Sequence, residues 1–312
     1  MLFDIVLTGV GALSPFGGRD AFFRAFGADA ETRQAAGARP GAALTDVLGI
    51  ASAKLRIARY LDPVAKNAII ALDEAMTDAG ISGGDVASDP FGYAIVLAAT
   101  RGPIETRIKA YEQLRVRQGK LLSSTLFSNA GYNIAAAMAA IAHGIKGPNL
   151  TLAGRSNLSL HLFRRARQLL TTGRVHTVFV GFSEGRAQVA PLWQWACIFC
   201  LERPERAQER RAGRGLALAE IEPEFAPQYS ALRDGSAIRL PRPIPQPLRP
   251  EVVAAAETVA WDRGESLGLT SEYLPLIQAG RMKAMGVSTE DGHVAFPVRT
   301  RSGLSLLAAD QA

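Results

Sequence analysis

The run Gly147-Pro148-Asn149-Leu150-Thr151-Leu152-Ala153-Gly154-Arg155-Ser156-Asn157-Leu158-Ser159-Leu160-His161 leads through a basic segment to Thr172-Gly173-Arg174-Val175-His176-Thr177-Val178-Phe179-Val180-Gly181-Phe182-Ser183-Glu184. Leu150 to Ala153 reads as a short buried strand, and Gly154 to Ser156 as a tight turn. The next segment places Leu158, Leu162, Ala166, Leu169 and Leu170 at helical spacing, with Arg164, Arg165 and Arg167 on the other side. Gly173 stops that helix, and Val175 to Val180 reads as the next strand. Strand, sharp turn and helix form an elbow that holds one side chain at a helix N-terminus. The free N–H groups and the dipole there favour an anion, such as an ionised nucleophile.

The chain has 312 residues, 48% of them hydrophobic, and a mean hydropathy of +0.08. That suffices for one large α/β unit or two closely packed halves. No apolar run reaches the length of a membrane span, and the N-terminus lacks the basic region of a secretory signal. Cys197 and Cys200 make no disulfide framework, which fits a reducing cytoplasm. The net charge is +6, with a pI of about 9.6. Such a surface attracts acidic partners, nucleic acid among them, and a solvated arginine-rich surface accounts for the charge equally well.

Near the start, Phe3 to Leu7 reads as a strand running into Thr8-Gly9-Val10-Gly11-Ala12-Leu13-Ser14-Pro15-Phe16-Gly17. Ser14 stands where a dinucleotide fingerprint needs its third glycine, and Pro15 disfavours a helix opening, so no nucleotide cofactor is expected. Residues 27 to 50 read as loop. Asp62-Pro63 opens a helix that Gly80 ends, with Val64, Ala68, Ala71, Leu72 and Ala75 as its buried stripe. Tyr93 to Ala98 suits a strand covered on both faces. A helix follows Pro103, and a second, alanine-rich one ends at Gly144. Trp195 to Leu201 reads as a strand whose Cys197 and Cys200 face opposite sides as inert thiols, with no second pair to build a zinc site. Arg203 to Gly215 reads as an exposed turn, followed by a strand over 216–221. Pro241 to Pro250 reads as an extended connector, and Glu251 to Val259 as a helix.

The opening words and the elbow together resemble the β-ketoacyl synthases (ketosynthases) of the thiolase-like superfamily. The matching patterns are Val-Thr-Gly-x-Gly-x-x-Ser-Pro-x-Gly at the start, then Gly-Pro-x, a strand ending in Ala, the nucleophile, a helix, and a strand ending in Gly-x-x-Glu. The resemblance implies an α/β, layered α-β-α-β-α thiolase-like fold with a shortened C-terminal half. Its halves would be residues 1–222 and 223–312, with a dimer joined through the strand before the elbow. Counting back from Gly173 places the family's cysteine on Ser156, with Arg155 beside it, so the thiol is missing. Residues near Phe127 match a segment that lines the acyl pocket and the dimer contact. Arg299-Thr300-Arg301-Ser302-Gly303-Leu304 is similar to a Lys-x-x-Thr/Ser-Gly-His motif of the family, which puts Arg299 at the lysine and Leu304 at a catalytic histidine. Nothing between Trp261 and Gly280 resembles His-Gly-Thr-x-Thr. His143, His161 and His176 have structural readings, and His293 reads as a surface loop residue.

Three functions follow from the resemblance. The chain is a non-catalytic, chain-length-factor-like subunit of an active ketosynthase, or an acyltransferase or hydrolase using Ser156, or a homodimeric protein binding acyl chains or acyl carrier protein. Under the first, the partners are an active ketosynthase in a mixed dimer, with a homodimer as the alternative, and an acyl carrier protein. No cofactor, metal, nucleic acid or membrane span is called for.

Overall fold

The structure is a computed structural model that describes residues 4–14, 16–27, 61–154, 158–185, 194–210, 212, 215–221, 237–240, 258–259, 274–285, 293–300 and 303–311. In chain order its strands are β1 (Ile5–Ser14), β2 (Gly17–Gly18), β3 (Tyr93–Ala99), β4 (Asn149–Ala153), β5 (Thr177–Gly185), β6 (Gln194–Glu202), β7 (Leu216–Ile221), β8 (Ala237–Leu240), β9 (Thr258–Val259), β10 (His293–Thr300) and β11 (Gly303–Gln311). The helices are α1 (Arg19–Gly27), α2 (Pro63–Ala79), α3 (Gly83–Ser88), α4 (Ile104–Val116), α5 (Ser124–Asn129), α6 (Ile134–His143), α7 (Leu158–Thr171), α8 (Pro204–Glu209) and α9 (Leu274–Met285).

The described strands form one sheet in the order β4-β3-β5-β6-β1-β7-β11-β10-β8-β9, with β2 attached to β1. β3 pairs in parallel with β4 and β5, because helical crossovers join them, while β6 returns antiparallel beside β5. β1 binds β6 along its length and β7 at Ile5 to Leu7, which links the mixed part of the sheet to the antiparallel part. Helices cover both faces. One core gathers Phe22 and Phe23 of α1, Leu162, Phe163 and Leu170 of α7, and Leu276 and Ile277 of α9. The other gathers Ala68, Leu72 and Ala75 of α2 with Ala136 and Ala139 of α6. Every residue of β3 is buried, as a strand covered on both sides must be.

Helix α2 follows the sequence closely. The Asp62 carboxylate accepts from the N–H of Val64 at 2.9 Å, Pro63 occupies the first turn, and Gly80 caps the far end in the left-handed region. α2 also explains the glycines at the start of the chain. β1 does not turn after Leu7 but runs unbroken to Ser14. A Cβ on Gly9 would lie 2.4 Å from the carbonyl oxygen of Ala75, and one on Gly11 would lie 2.0 Å from that of Ala71. These glycines let a helix backbone lie against a strand; they do not form a turn. Glu74 and Asp78 of α2 then accept from Ala12 N–H and Val10 N–H, each at 2.8 Å, and so satisfy the strand edge there.

Several other expectations change. β5 begins at Thr177 rather than Val175 and extends past Val180 to Gly185. Residues 203–215 are not a plain exposed turn: they include α8, and Arg210 turns inward onto the fully buried Glu202 of β6, at 3.0 and 2.6 Å. Thr258 and Val259 are strand, paired with Ile238 and Ala237, where a helix was expected. His293 opens β10 opposite Leu240, so a sheet partner replaces the expected loop. Gly27, expected to open a loop over 27–50, instead ends α1; the rest of that loop, the connector at 241–250 and the helix over 251–257 lie outside the described residues.

Candidate functional site

The elbow stands at the carboxyl ends of three parallel strands, where open α/β sheets place their sites. Ala153 pairs with Ala99, and the N–H of Gly154 donates to the carbonyl of Ala99 at 3.3 Å. α7 begins at Leu158, buried against the sheet. Arg155 and Ser156, the expected site residues between these points, lie outside the described residues.

The rim beside the elbow is held by Glu184, the last residue of the Gly-x-x-Glu pattern. Its carboxylate accepts from the Thr100 N–H, from Thr100 Oγ1 at 2.8 Å, and from the N–H groups of Arg101 and Gly102 at 3.2 and 3.3 Å. One anion thus gathers consecutive donors of a turn that would otherwise leave them unsatisfied. Gly102 adopts φ +61°, and a Cβ there would meet the Tyr132 ring at 2.8 Å. Arg107 lies 4.8 Å over that ring and donates to its hydroxyl at 2.8 Å. Thr100, Gly102, Arg107, Tyr132 and Glu184 therefore make one braced rim.

Between β4 and α7 lies a cavity of about 480 Å³. Thr151 to Gly154 line it from the strand, and Leu158, His161, Arg164, Arg165 and Gln168 from α7. Thr151 Oγ1 is buried there without a hydrogen-bond partner. His161 was expected to be a bland helical residue; the structure sets it beside Arg164 and Arg165, four residues or fewer away on the helix. The spacing 161, 164, 165, 168 was readable as one face, but not what that face looks onto.

The other expected residues are not drawn together here. Phe127 sits on α5, 70% exposed, and does not line this cavity. Arg299 of β10 and Leu304 of β11 are backbone partners in the antiparallel register. Five strands separate β11 from β4, roughly 29 Å along the sheet at about 4.8 Å per step. Cys197 and Cys200 are free and fully buried in β6, one in each core. Burial pushes both thiols well above their ordinary value, so they are protonated and inert. His143 bridges the Ala139 carbonyl at 3.0 Å and Asp73 at 3.3 Å. His176 lies 3.3 Å from Asp89 and edge-on to Tyr93; burial first, then Arg206, holds it below its ordinary value. No metal-ligating cluster occurs among the described residues, and no described helix is long and apolar enough to cross a membrane.

An α/β sheet of this order, with β4 leading toward α7 at the carboxyl end of its parallel strands, has the thiolase-like fold. The sequence model described as "Beta-ketoacyl synthase, N-terminal domain" matches residues 4–220, and the chain belongs to that family. Solved structures agree on the fold over almost the whole length. An ishigamide ketosynthase/chain length factor superposes with a TM-score of 0.57 at 17% identity, covering 99% of each chain. A chain of the AntDE:AntF type II polyketide synthase complex, an acyl-carrier protein with its ketosynthase bound to the hexaketide, gives 0.65 at 14%, also covering 99% of each. A β-ketoacyl synthase from Burkholderia phymatum STM815 gives 0.64 at 13%, covering 100% of each. No curated protein matches by sequence.

Proposed function

We propose that this chain is a ketosynthase-like subunit without condensing chemistry of its own. It pairs in the cytoplasm with an active β-ketoacyl-ACP synthase, and works with its acyl carrier protein in fatty acid, polyketide or aryl polyene elongation, as a chain length factor does. The observation that carries this reading is the location of the thiols. The chain has two cysteines, both sealed in β6, so neither can serve as nucleophile at the elbow, where Ser156 stands. Serine needs a neighbouring base to attack a thioester, and the sequence offers none beside it. Leu304, aligned with a catalytic histidine, can neither donate nor accept a proton.

The pairing is supported by β4. Among the described strands it stands at the edge of the sheet, five residues long, with Leu150 and Leu152 only partly buried. An uncovered apolar edge is a template for another strand. Helix α6 packs beside it and leaves Ile141 61% exposed. The likeness to a ketosynthase/chain length factor and to a ketosynthase complexed with acyl-carrier protein supports the same choice of partners.

The test is co-expression with a complete type II ketosynthase and its acyl carrier protein, followed by native and denaturing mass measurement after acyl loading. A mixed complex with acyl groups on the partner synthase and carrier alone is expected. An acyl ester on Ser156 would overturn the non-catalytic reading, and a chain that stays monomeric in every mixture would overturn the pairing.

A further inference from the structure

At the far end of the parallel strands from Gly154, the turn 89–92 enters β3 and lies against the start of β5. The N–H groups of His176 and Thr177 donate to the Gly92 carbonyl at 2.9 and 3.3 Å, and the Gly92 N–H donates to Asp89 Oδ1 at 3.1 Å. The other carboxylate oxygen, Asp89 Oδ2, stands 3.3 Å from His176 Nε2. A Cβ on Gly92 would collide with both atoms, so the pair closes over a glycine. On its inner side the imidazole Nδ1 is 2.9 Å from Thr177 Oγ1, which is itself 2.9 Å from Glu202 Oε1. Four side chains thus run in one line, from a carboxylate 56% exposed to one with no access to water.

Counting hydrogens along this line fixes the state of its middle. Glu202, ion-paired with Arg210, only accepts, so the Thr177 hydroxyl donates to it. That hydroxyl then offers His176 a lone pair, and Nδ1 must carry a hydrogen. Asp89, also a carboxylate, requires a hydrogen on Nε2. A neutral imidazole has one hydrogen and meets one demand; the imidazolium meets both. The neutral ring gives up the outer contact, because water rehydrates Asp89 whereas nothing replaces a donor lost to buried Glu202. Burial, with Tyr93 of β3 edge-on to the ring, and then Arg206 of α8 oppose the imidazolium; Asp89 and Glu202 favour it. The opposing pair prevails, so the ring takes up its proton below its ordinary value. Asp85 of α3 and Arg210 act on the Tyr93 side of the cluster.

We infer that His176 is an acid-closed clasp: protonation joins it to Asp89 of the turn 89–92, and at neutral pH the ring keeps its hydrogen on Nδ1, toward Thr177 and Glu202, and leaves Asp89 to water. The turn that carries Phe91, 64% exposed, thereby gains an acid-dependent fastening. The clasp is independent of the pairing proposed above.

The test follows the imidazole nitrogen shifts of the full chain, labelled with 15N-histidine, from about pH 8 to about pH 5. His176→Gln identifies the signals of this ring among the four histidines. The wild type at the alkaline end should show the Nδ1–H tautomer, and the Gly92 amide should move with the His176 titration. Asp89→Asn should lower the proton affinity of His176 by about threefold or more and keep that tautomer. Thr177→Val removes the acceptor from Nδ1 and should turn the neutral ring to Nε2–H. Should Thr177→Val fold poorly, the wild-type tautomer and the Asp89→Asn titration carry the test alone. An Nε2–H tautomer in the wild type, or an unmoved titration in Asp89→Asn, would overturn the inference. So would an Nδ1–H ring that persists in Thr177→Val.

Discussion

Replacing Arg210 with Met removes the counter-charge of a carboxylate that has no access to water. Glu202 is 0% exposed. It accepts from Thr8 Oγ1 at 2.7 Å and Thr177 Oγ1 at 2.9 Å, and from Arg210 at 3.0 and 2.6 Å. Arg210 also donates to the Ala79 carbonyl at 3.0 Å, so one guanidinium ties β6 to the end of α2. Removing one partner of a buried pair costs about 3–5 kcal/mol. The Arg210 side chain is 14% exposed, which lets water reach the vacated space and favours the lower end, about 3 kcal/mol. Glu202→Gln keeps an oxygen for the threonine hydroxyls and should cost about 1–3 kcal/mol. The double variant removes both charges, and its loss should fall short of the sum by about 2 kcal/mol. Urea unfolding of the four proteins, read at the midpoint with constant slope, measures each quantity. An Arg210→Met protein within about 0.5 kcal/mol of wild type, or strict additivity in the cycle, would refute the reasoning.

Ser156→Cys should gain alkylation by a thiol reagent but no malonyl condensation by the isolated chain, since groups acting as a unit are not restored singly; turnover by that variant alone would show that the missing histidines are wrongly assigned. Gly11→Ala drives a methyl group into the backbone of α2 and should cost about 3 kcal/mol or more. Gly83→Ala, with open space around its Cβ, should lose nothing in the same urea unfolding. For His176, burial lowers the folded-state value, so the unfolded chain takes up the proton first on acidification. Stability should therefore fall as pH drops through about 6.5, and His176→Gln should flatten that slope in pH-dependent unfolding. An unchanged slope would assign the effect to another group.

Residues close in the chain carried their structure legibly. Asp62-Pro63 with Gly80 defined α2, Gly173 ended α7, and the alternation around Cys197 and Cys200 placed one thiol in each core. Helix caps, turn glycines and strand alternation are local, so a single sequence displays them. The Gly-x-x-Glu pattern was visible too, but not that Glu184 holds the turn at 100–102, eighty residues earlier.

By itself, the sequence determined the class of the fold and the strand and helix that flank residues 155–157. These depend on the order and spacing of neighbouring residues. Only the tertiary structure decided that Gly9 and Gly11 lie within a strand, since the reason is the backbone of a helix more than sixty residues away. It likewise decided that Arg210 faces the core and that Arg164 and Arg165 line a cavity together with Thr151 to Gly154 of β4. An arginine reads the same in sequence whether water or a buried carboxylate surrounds it. Its meaning comes from the field of groups that folding brings near it.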